Sequence, residues 1–165
     1  MKQMSTPTPP PHAQQPLMLK NTVKTDIRVQ FAALPYKLDE DTGNAKICMI
    51  TSRGTKRWIL PKGWPMHKIT PAEAAAIEAW EEAGLKGIAF DHCLGVYLYS
   101  KPIPKKQVQI LVLVYPVLVT KTKKDWPERS SRTRKWFDIE TAAGLVAEED
   151  LRSIIRTFDP QIVHR

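Results

Sequence analysis

One long apolar run constrains the fold of this chain more than any other feature of its sequence. The run covers residues 108–119, VQILVLVYPVLV, and is apolar at almost every position. A strand with one face in water alternates apolar and polar residues, so an unbroken run is typical of a strand covered on both faces. The run is also far shorter than the roughly 18 to 20 residues that span a bilayer. We therefore predict a sheet with packing layers on both sides, and no transmembrane segment or membrane partner.

The rest of the chain supplies further strands and the helices for those layers. Short β-branched or apolar runs predict strands at residues 27–36, 45–52, 57–61, 88–100 and 136–139. The first two are joined by KLDEDTGN, whose turn-forming residues indicate a hairpin. Helices are predicted at Pro71–Ala83 and, with a break near Glu148, at 140–158, while 120–135 form a polar excursion. This order predicts an α/β fold, an α/β/α sandwich with a mixed β-sheet between helices.

Length and charge limit the organisation of the chain and its partners. With 165 residues there is room for one domain, which we place at residues 23–160. A disordered, proline-rich tail is predicted at 1–22 and a short C-terminal tail at 161–165. The net charge of +8 indicates a polyanionic partner, and a nucleic acid, a nucleotide or a polyphosphorylated small molecule all fit. Either a monomer or a dimer is compatible with these features.

Two features predict a cytoplasmic location. The N-terminal residues lack the continuous apolar region of a secretory signal. Cys48 and Cys93 show no metal-type spacing and lie in apolar surroundings, which is typical of free thiols in a reducing compartment. We therefore expect no disulfide and no cysteine-bound metal.

The helix at Pro71–Ala83 has clear start and stop signals. Thr70 is a suitable N-cap, Pro71 fits the first helical position, and Glu73 can return a capping-box bond to Thr70. Gly84 can adopt the left-handed conformation that ends a helix. The bounds of this helix are therefore predicted closely.

Three glutamates crowd the end of this helix. Glu78, Glu81 and Glu82 repel one another at these spacings, and the negative end of the helix dipole adds a further penalty. Position 77, from which a cation could reach Glu81, is Ile. We predict that the glutamates lie opposite a packing face formed by Ala72, Ala76, Ala79 and Ala83. They are either a solvated acidic face or the oxygen ligands of Mg²⁺ or Mn²⁺.

The surrounding sequence resembles the box of the Nudix hydrolase family, G-x5-E-x7-R-E-U-x-E-E-x-G-U with U aliphatic. The matching positions are Gly63, Glu78, Glu81, Glu82, Gly84 and Leu85. Ile69 and Ile77 stand where the box has its first Glu and its Arg. The segments RWILPKGWP and RTRKWFDIETA extend the likeness towards the diphosphoinositol-polyphosphate and diadenosine-polyphosphate branch, over residues 23–158. The resemblance implies a Nudix-type fold and a pyrophosphohydrolase.

The resemblance also implies roles for residues of the box. Glu78 and Glu82 would be the main ligands of Mg²⁺ or Mn²⁺, together with the backbone carbonyl of Lys62 or Gly63. Glu81 would be a further ligand or the base for the attacking water, and some family members take an additional Glu from a later loop, for which Glu128 is the candidate. The chemistry is metal-assisted substitution at phosphorus. In the family the box Arg usually orients the glutamates, so Ile77 leaves that task unassigned.

Cations elsewhere in the chain are candidates for binding the substrate. Arginine suits bidentate phosphate contacts, so the first choices are Arg28 and Arg53. The full set of predicted substrate-binding residues is Arg28, Arg53, Lys62, Lys105 and Arg132. Surface cations are common, and many of these residues would be merely solvated. Trp58 and Trp64 are candidates for stacking on a base, and Trp58 fits packing within the sheet equally well.

Two functions are compatible with this pattern. The first is a Mg²⁺-dependent Nudix pyrophosphohydrolase that cleaves a phosphoanhydride bond in a nucleoside-diphosphate-linked substrate, of the diadenosine-polyphosphate or diphosphoinositol-polyphosphate type. The alternative, motivated by Ile69 and Ile77, is a catalytically weak or silent Nudix module that binds polyphosphate or RNA through its basic surface.

Overall fold

The computed structural model describes residues 27–163 and contains eight strands and three α-helices. The strands are β1 (Ile27–Leu38), β2 (Ala45–Thr51), β3 (Trp58–Ile59), β4 (Lys62–Gly63), β5 (Leu85–Ala89), β6 (Gly95–Ile103), β7 (Lys106–Thr122) and β8 (Arg134–Asp138). The helices are α1 (Pro71–Ala83), α2 (Ile139–Leu145) and α3 (Glu149–Arg156), with 3-10 turns at Arg129–Ser131 and Pro160–Ile162. The predicted tail at 1–22 lies outside the described residues.

The apolar run at residues 108–119 lies in β7, which forms the middle of the sheet. Strand β7 runs parallel to β1 on one side. Its other side pairs antiparallel with β6 along its first half and with β5 along its second half. The order β3-β2-β1-β7-β5 therefore combines parallel and antiparallel pairs in one sheet. The prediction of a mixed sheet is confirmed.

Helices cover both faces of this sheet. On one face, Ala75 and Ala79 of α1 pack with Ile50, Tyr115 and other sheet residues. On the other face, Leu151 and Ile155 of α3 pack with sheet residues that include Val112 and Val114. Alternating residues of β7 thus contribute side chains to the two cores, because neighbouring residues of a strand point to opposite faces. The predicted α/β/α sandwich is confirmed.

The predicted strand at residues 88–100 is wrong, because two separate strands occupy this part of the chain. Strand β5 ends at Ala89, opposite Val117, and β6 begins at Gly95, opposite Val114. The chain between them turns along the edge of β7, where the N–H of Phe90 donates to the Pro116 carbonyl and that of Leu94 to the Val114 carbonyl. Strands β5 and β6 thus pair with the same edge of β7, one after the other. The sequence pattern does not reveal that residues 88–100 are divided in this way.

Other predicted elements agree more closely with the structure. The β1–β2 hairpin is confirmed, with Leu38 opposite Ala45. The closing helical segment is broken as predicted, because α2 ends at Leu145 and α3 begins at Glu149. The polar excursion is shorter than predicted, since β7 continues to Thr122 and β8 begins at Arg134. Within residues 27–163, no helix has the length and apolar character needed to cross a membrane.

Candidate metal and phosphate site

Helix α1 carries the glutamates, and both of its ends are fixed as the sequence predicts. Thr70 accepts a hydrogen bond from the N–H of Glu73, and the Glu73 carboxylate accepts one from the N–H of Thr70 at 2.9 Å. Gly84 closes the helix in the left-handed conformation, with φ of 66°. The predicted bounds Pro71–Ala83 are confirmed, so the positions of the glutamates around the helix are well determined.

The glutamates lie on different sides of α1, which corrects the prediction that all three face away from the sheet. Glu78 and Glu82 are 8% and 7% exposed, whereas Glu81 is exposed. Residues three and four apart share a face of a helix, and Ala75, Glu78, Ala79 and Glu82 follow that spacing. The packing face is therefore rotated towards the two glutamates, and Ala76, predicted to be central, is only half-buried.

Strand β4 brings the backbone of Lys62 and Gly63 against these buried glutamates. It pairs with β1, with Gly63 opposite Phe31 and Lys62 opposite Ala32. The N–H of Lys62 donates to Oε2 of Glu82 at 3.2 Å. A Cβ atom at Gly63 would overlap the carboxylate of Glu78. The glycine thus leaves the space that the Glu78 carboxylate occupies, next to the backbone of β4.

The loop between β7 and β8 is fastened to the C-terminal end of α1. The N–H of Glu128 donates to the Glu81 carbonyl, and the indole N–H of Trp126 donates to the Glu82 carbonyl, both at 3.1 Å. The guanidinium of Arg134 donates to the Ala83 carbonyl at 2.7 Å and stacks on Trp126. These donors satisfy carbonyls that the last turn of a helix leaves open. The same loop places Glu128 beside the buried glutamates.

Arg132 connects this loop with the buried carboxylates. Its Nη2 lies 3.0 Å from Oε1 of Glu82 and 3.3 Å from Oε1 of Glu128, and its Nη1 donates to the Thr51 carbonyl at 3.2 Å. Its side chain is only 5% exposed. Glu128 also pairs at 3.4 Å with Arg53, whose side chain is 67% exposed. A chain of alternating charges therefore runs from Glu82 to the protein surface.

Two adjoining cavities open at this charge chain. One, of about 340 Å³, is lined by Glu78, Glu82 and Glu128 together with cations and Trp64. The other, of about 310 Å³, has five cations and no carboxylate among its lining residues. Those cations are Arg53, Arg57, Lys62, Lys101 and Arg132. We call the first cavity, with its three carboxylates, the acidic cavity or acidic pole, and the second the basic cavity or basic pole. A metal ion and a phosphate chain would require such a pair side by side.

A third cavity is larger but has a different character. It has a volume of about 590 Å³ and lies beside the β1–β2 turn, where its walls include Leu38, Ile139 and Phe158. Its charged lining residues are all acidic, and no cation lines it. An anionic ligand would be repelled there, so size alone does not identify the functional site.

Burial shifts the protonation of the groups at the acidic pole. Burial, followed by the nearby charges of Glu82, Glu81 and Glu128, raises the pKa of Glu78 to about 7. Burial also raises the pKa of Glu82, although Arg132 and the N–H of Lys62 oppose this. The pKa of the Lys62 amine is lowered, first by burial. Burial, which Arg132 offsets only in part, therefore favours the protonated forms of Glu78 and Glu82.

The donor set at this pole fits a hard divalent cation. Carboxylate and carbonyl oxygens are the ligands that Mg²⁺ and Mn²⁺ prefer. Within residues 27–163, no three acidic, His or Cys side chains converge closely enough to hold an ion as they stand. Both oxygens of Glu82 are engaged, by Arg132 and by the N–H of Lys62. Each carboxylate oxygen has a second lone pair, so these bonds still leave acceptor sites for a cation.

The structure brings together some of the predicted substrate-binding residues and separates others. Arg53, Lys62 and Arg132 line both cavities of the charge chain. Arg28 is exposed on β1 and lines neither cavity, and Lys105 lies in the β6–β7 turn and also lines neither. These two predictions receive no support from the geometry.

Two lining residues, Gln30 and Tyr99, were not singled out from the sequence. Gln30 is buried in β1 and accepts a hydrogen bond from the Tyr99 hydroxyl at 2.7 Å. Gln30 could have been identified as a candidate from the sequence, because it is the one amide side chain within the apolar stretch of β1. Trp64 is 43% exposed and lines the acidic cavity, whereas Trp58 packs edge-on against Phe137. The packing interpretation of Trp58 is therefore confirmed.

Comparison with known families decides the relationship of this chain. The model of the NUDIX domain matches residues 31–159, well over half of the chain. The chain belongs to the Nudix family. The predicted family is therefore confirmed, and with it the prediction of a Nudix pyrophosphohydrolase.

Individual Nudix relatives give a consistent picture. Nudix hydrolase 12, mitochondrial, of Arabidopsis thaliana is 29% identical over 148 residues, which are 81% of this chain and 73% of the relative. Diphosphoinositol polyphosphate phosphohydrolase 3-alpha of Homo sapiens is 37% identical over 94 residues, 56% of this chain and 54% of the relative. Because the first relative is named mitochondrial, the cytoplasmic location stays a prediction.

Solved Nudix structures share the fold. A C. elegans Ap4A hydrolase in a binary complex has a TM-score of 0.60 at 16% identity, covering 84% of this chain and 99% of that one. The MutT protein from Methanosarcina mazei Go1 has a TM-score of 0.56 at 18% identity, covering 86% of this chain and 99% of that one. At such identities the likeness concerns the fold alone.

Proposed function

We propose that this Nudix enzyme is a Mg²⁺-dependent hydrolase of phosphoanhydride bonds in small polyphosphorylated molecules, of the diadenosine-polyphosphate or diphosphoinositol-polyphosphate type. One observation carries the proposal: a cavity with three carboxylates adjoins a cavity with five cations and no carboxylate. The acidic pole suits a divalent cation, and the basic pole suits the phosphates of a substrate. Human and C. elegans relatives are named for diphosphoinositol polyphosphate and Ap4A respectively.

The proposed roles at the acidic pole follow the burial of each carboxylate. Glu78 and Glu82, with the backbone carbonyl of Lys62 or Gly63, would hold the cation. When bound, it would neutralise phosphate oxygens and lower the pKa of a coordinated water. Glu128 lines the cavity, whereas Glu81 is exposed and does not. Glu128 is therefore better situated than Glu81 to accept the proton of the attacking water.

The basic pole would bind the phosphate chain of the substrate. Arg53 and Arg57 have exposed guanidinium groups that can turn towards a phosphate, and Lys101 lies across the cavity on β6. Lys62 is held differently, with its ammonium 5.1 Å from the centre of the Tyr99 ring. We propose that the exposed guanidinium groups of Arg53 and Arg57 set substrate affinity, and that Lys62 contacts the phosphate nearest to the carboxylates.

Trp64 distinguishes the two proposed substrate classes. An exposed indole beside the acidic cavity can stack on a nucleobase, which a diphosphoinositol polyphosphate lacks. We expect Trp64→Ala to raise the KM for diadenosine polyphosphates at least several-fold if these are the substrates. The same change is expected to leave the KM for an inositol pyrophosphate nearly unaltered.

A substrate screen tests the proposal. Phosphate or nucleotide release is measured with Mg²⁺ over diadenosine polyphosphates, nucleoside diphosphate sugars, triphosphorylated or capped RNA and inositol pyrophosphates. The matched variants are Glu78→Gln and, as a control, Glu40→Gln in the exposed β1–β2 turn. We expect hydrolysis by the wild type and by the control, and its loss in Glu78→Gln. Full activity of Glu78→Gln would refute the proposed metal site.

The second candidate is a catalytically silent module that binds polyphosphate or RNA. It is favoured by Ile69 and Ile77 in the box and by the five cations of the basic cavity. It predicts tight, salt-sensitive binding of inorganic polyphosphate or RNA with no turnover in the screen. Hydrolysis that is lost in Glu78→Gln would exclude it.

A further inference from the structure

We propose that Arg132 is the positioning residue of the metal site, and that it supplies from the β7–β8 loop the cation that Ile77 does not provide on α1. This inference rests on the proposed function, because it assigns a role towards the same carboxylates. Arg132 was predicted to bind substrate. Its contacts support a different role.

The guanidinium of Arg132 is fully engaged with the protein. Nη2 bridges Glu82 at 3.0 Å and Glu128 at 3.3 Å, and Nη1 donates to the Thr51 carbonyl at 3.2 Å. Those bonds come from three separate elements: α1, the β7–β8 loop and the end of β2. A planar fork held at three points fixes the two carboxylates relative to each other, which a flexible ammonium group cannot do.

The burial of Arg132 argues against a primary role in binding substrate. Its side chain is 5% exposed, whereas those of Arg53 and Arg57 are 67% and 50% exposed. A phosphate that took the guanidinium of Arg132 would leave Glu82 buried without its ionic partner. Breaking a buried ion pair in this way leaves an uncompensated buried charge, and substrate binding would have to offset that cost. Arg53 and Arg57 meet a smaller cost, because their ion pairs are longer, at 3.4 and 3.9 Å, and their guanidinium groups are in contact with water.

The sequence of α1 explains why a cation from elsewhere is needed. Ile77 is the box position at which the family has an orienting Arg, and no basic residue lies in the last turn of α1. Arg132 is 50 residues from Glu82 in the sequence, but the loop that carries it is bonded to the last carbonyls of α1. These hydrogen bonds between the loop and α1 therefore keep the Arg132 guanidinium in a fixed position relative to Glu82.

A positioning role for Arg132 predicts that its removal weakens cation binding, whereas simple electrostatics predicts that its removal strengthens it. Removing a positive charge beside metal ligands would by itself tighten cation binding. Removing a residue that orients the ligands weakens it, typically by 10- to 100-fold. We therefore expect Arg132→Met to raise the Mn²⁺ dissociation constant roughly tenfold or more, measured by the electron paramagnetic resonance signal of free Mn²⁺ without substrate. Unchanged or tighter Mn²⁺ binding would overturn the proposal.

Kinetics with the substrate found in the screen provide the second readout. Arg132→Met is expected to lower kcat roughly 10- to 100-fold while KM changes by less than about threefold. Arg57→Met, from the basic cavity, is expected to raise KM with little change in kcat. If Arg132→Met shows the pattern of Arg57→Met instead, Arg132 binds substrate and the proposal is wrong.

Two further variants separate positioning from folding. Arg132→Lys retains the charge without the fork, and we expect it to remain impaired in Mn²⁺ binding; full Mn²⁺ affinity in this variant would overturn the proposal. If Arg132→Met does not fold by circular dichroism, Arg132→Lys provides the same comparison. Ile77→Arg in the Arg132→Met background is expected to recover at least threefold in Mn²⁺ affinity. Absence of recovery would contradict the claim that Arg132 replaces a cation at position 77. A wild type that binds Mn²⁺ but hydrolyses nothing would refute the proposed function alone.

Discussion

Replacing Glu78 by Gln should stabilise the metal-free protein, even though we expect it to abolish activity. Glu78 is 8% exposed, and among the described residues no hydrogen bond to its carboxylate offsets the effect of this burial on its pKa. Burial, followed by the charges of Glu82, Glu81 and Glu128, raises its pKa from 4.5 to about 7. The folded protein therefore holds an ionised carboxylate at a position that disfavours its charge.

The size and the pH range of this effect follow from the pKa. Each pKa unit corresponds to roughly 1.4 kcal/mol, so the rise to about 7 lowers the free energy of unfolding by about 3 kcal/mol at pH 8. Because the pKa of an acid is raised in the folded state, this loss is absent below pH 4.5 and develops as pH rises through about 7. Gln has nearly the same shape as Glu and carries no charge at any pH.

Urea unfolding in EDTA at several pH values measures the difference between the two proteins. We expect Glu78→Gln to exceed the wild type by about 2 to 3 kcal/mol at pH 8 and to match it only below the unfolded pKa of 4.5. Added Mg²⁺ should stabilise the wild type and leave the variant nearly unchanged. The exposed neighbour provides the control, since Glu81→Gln should show a much smaller difference. A variant less stable than the wild type at pH 8 would refute the reasoning.

Three further substitutions probe the surroundings of the site. Gly63→Ala places a Cβ atom in the Glu78 carboxylate, and we expect at least a tenfold loss of metal-dependent hydrolysis, with wild-type activity as the contrary result. Lys105, which follows Pro104 in the β6–β7 turn, has a φ of 71°, a left-handed conformation that favours glycine. Lys105→Gly should therefore raise the free energy of unfolding, measured in urea, by about 0.5 to 1 kcal/mol. If the same variant has a raised KM, Lys105 contributes to substrate binding as the sequence predicts. Arg134→Met removes the donor to the Ala83 carbonyl and should lower the free energy of unfolding by about 1 to 3 kcal/mol, which would be measured as a lower melting temperature. An unchanged melting temperature would mean that water replaces the guanidinium group as the donor.

Local signals in the sequence predicted the elements that are determined locally. The capping box at Thr70 and the glycine at Gly84 gave the bounds of α1 correctly. The apolar run in β7 predicted a strand covered on both faces, and helices do cover both faces. Each of these features depends on residues within a few positions of one another, so the pattern contains the necessary information.

The orientation of α1 was not predictable in the same way. Its packing face is built from alanines, which occur on several sides of the helix and do not define one stripe. The correct face includes Glu78 and Glu82, and burying a carboxylate costs free energy unless another group compensates. For Glu82 that group is Arg132, and nothing near either residue in the sequence indicates the pairing. The prediction failed where a long-range contact determined the result.

The same long-range contact explains how a Nudix box can lack its arginine. An orienting cation must keep a fixed position relative to the glutamate it holds, and a residue on the same helix meets this condition directly. The loop before β8 meets it indirectly, because donors from Trp126, Glu128 and Arg134 bind successive carbonyls at the end of α1. Those bonds also satisfy carbonyls that any helix must have satisfied, so the attachment does not depend on the metal site. Weakening the attachment, as in Arg134→Met, should therefore impair Mn²⁺ binding as well as stability, although Arg134 contacts neither buried carboxylate.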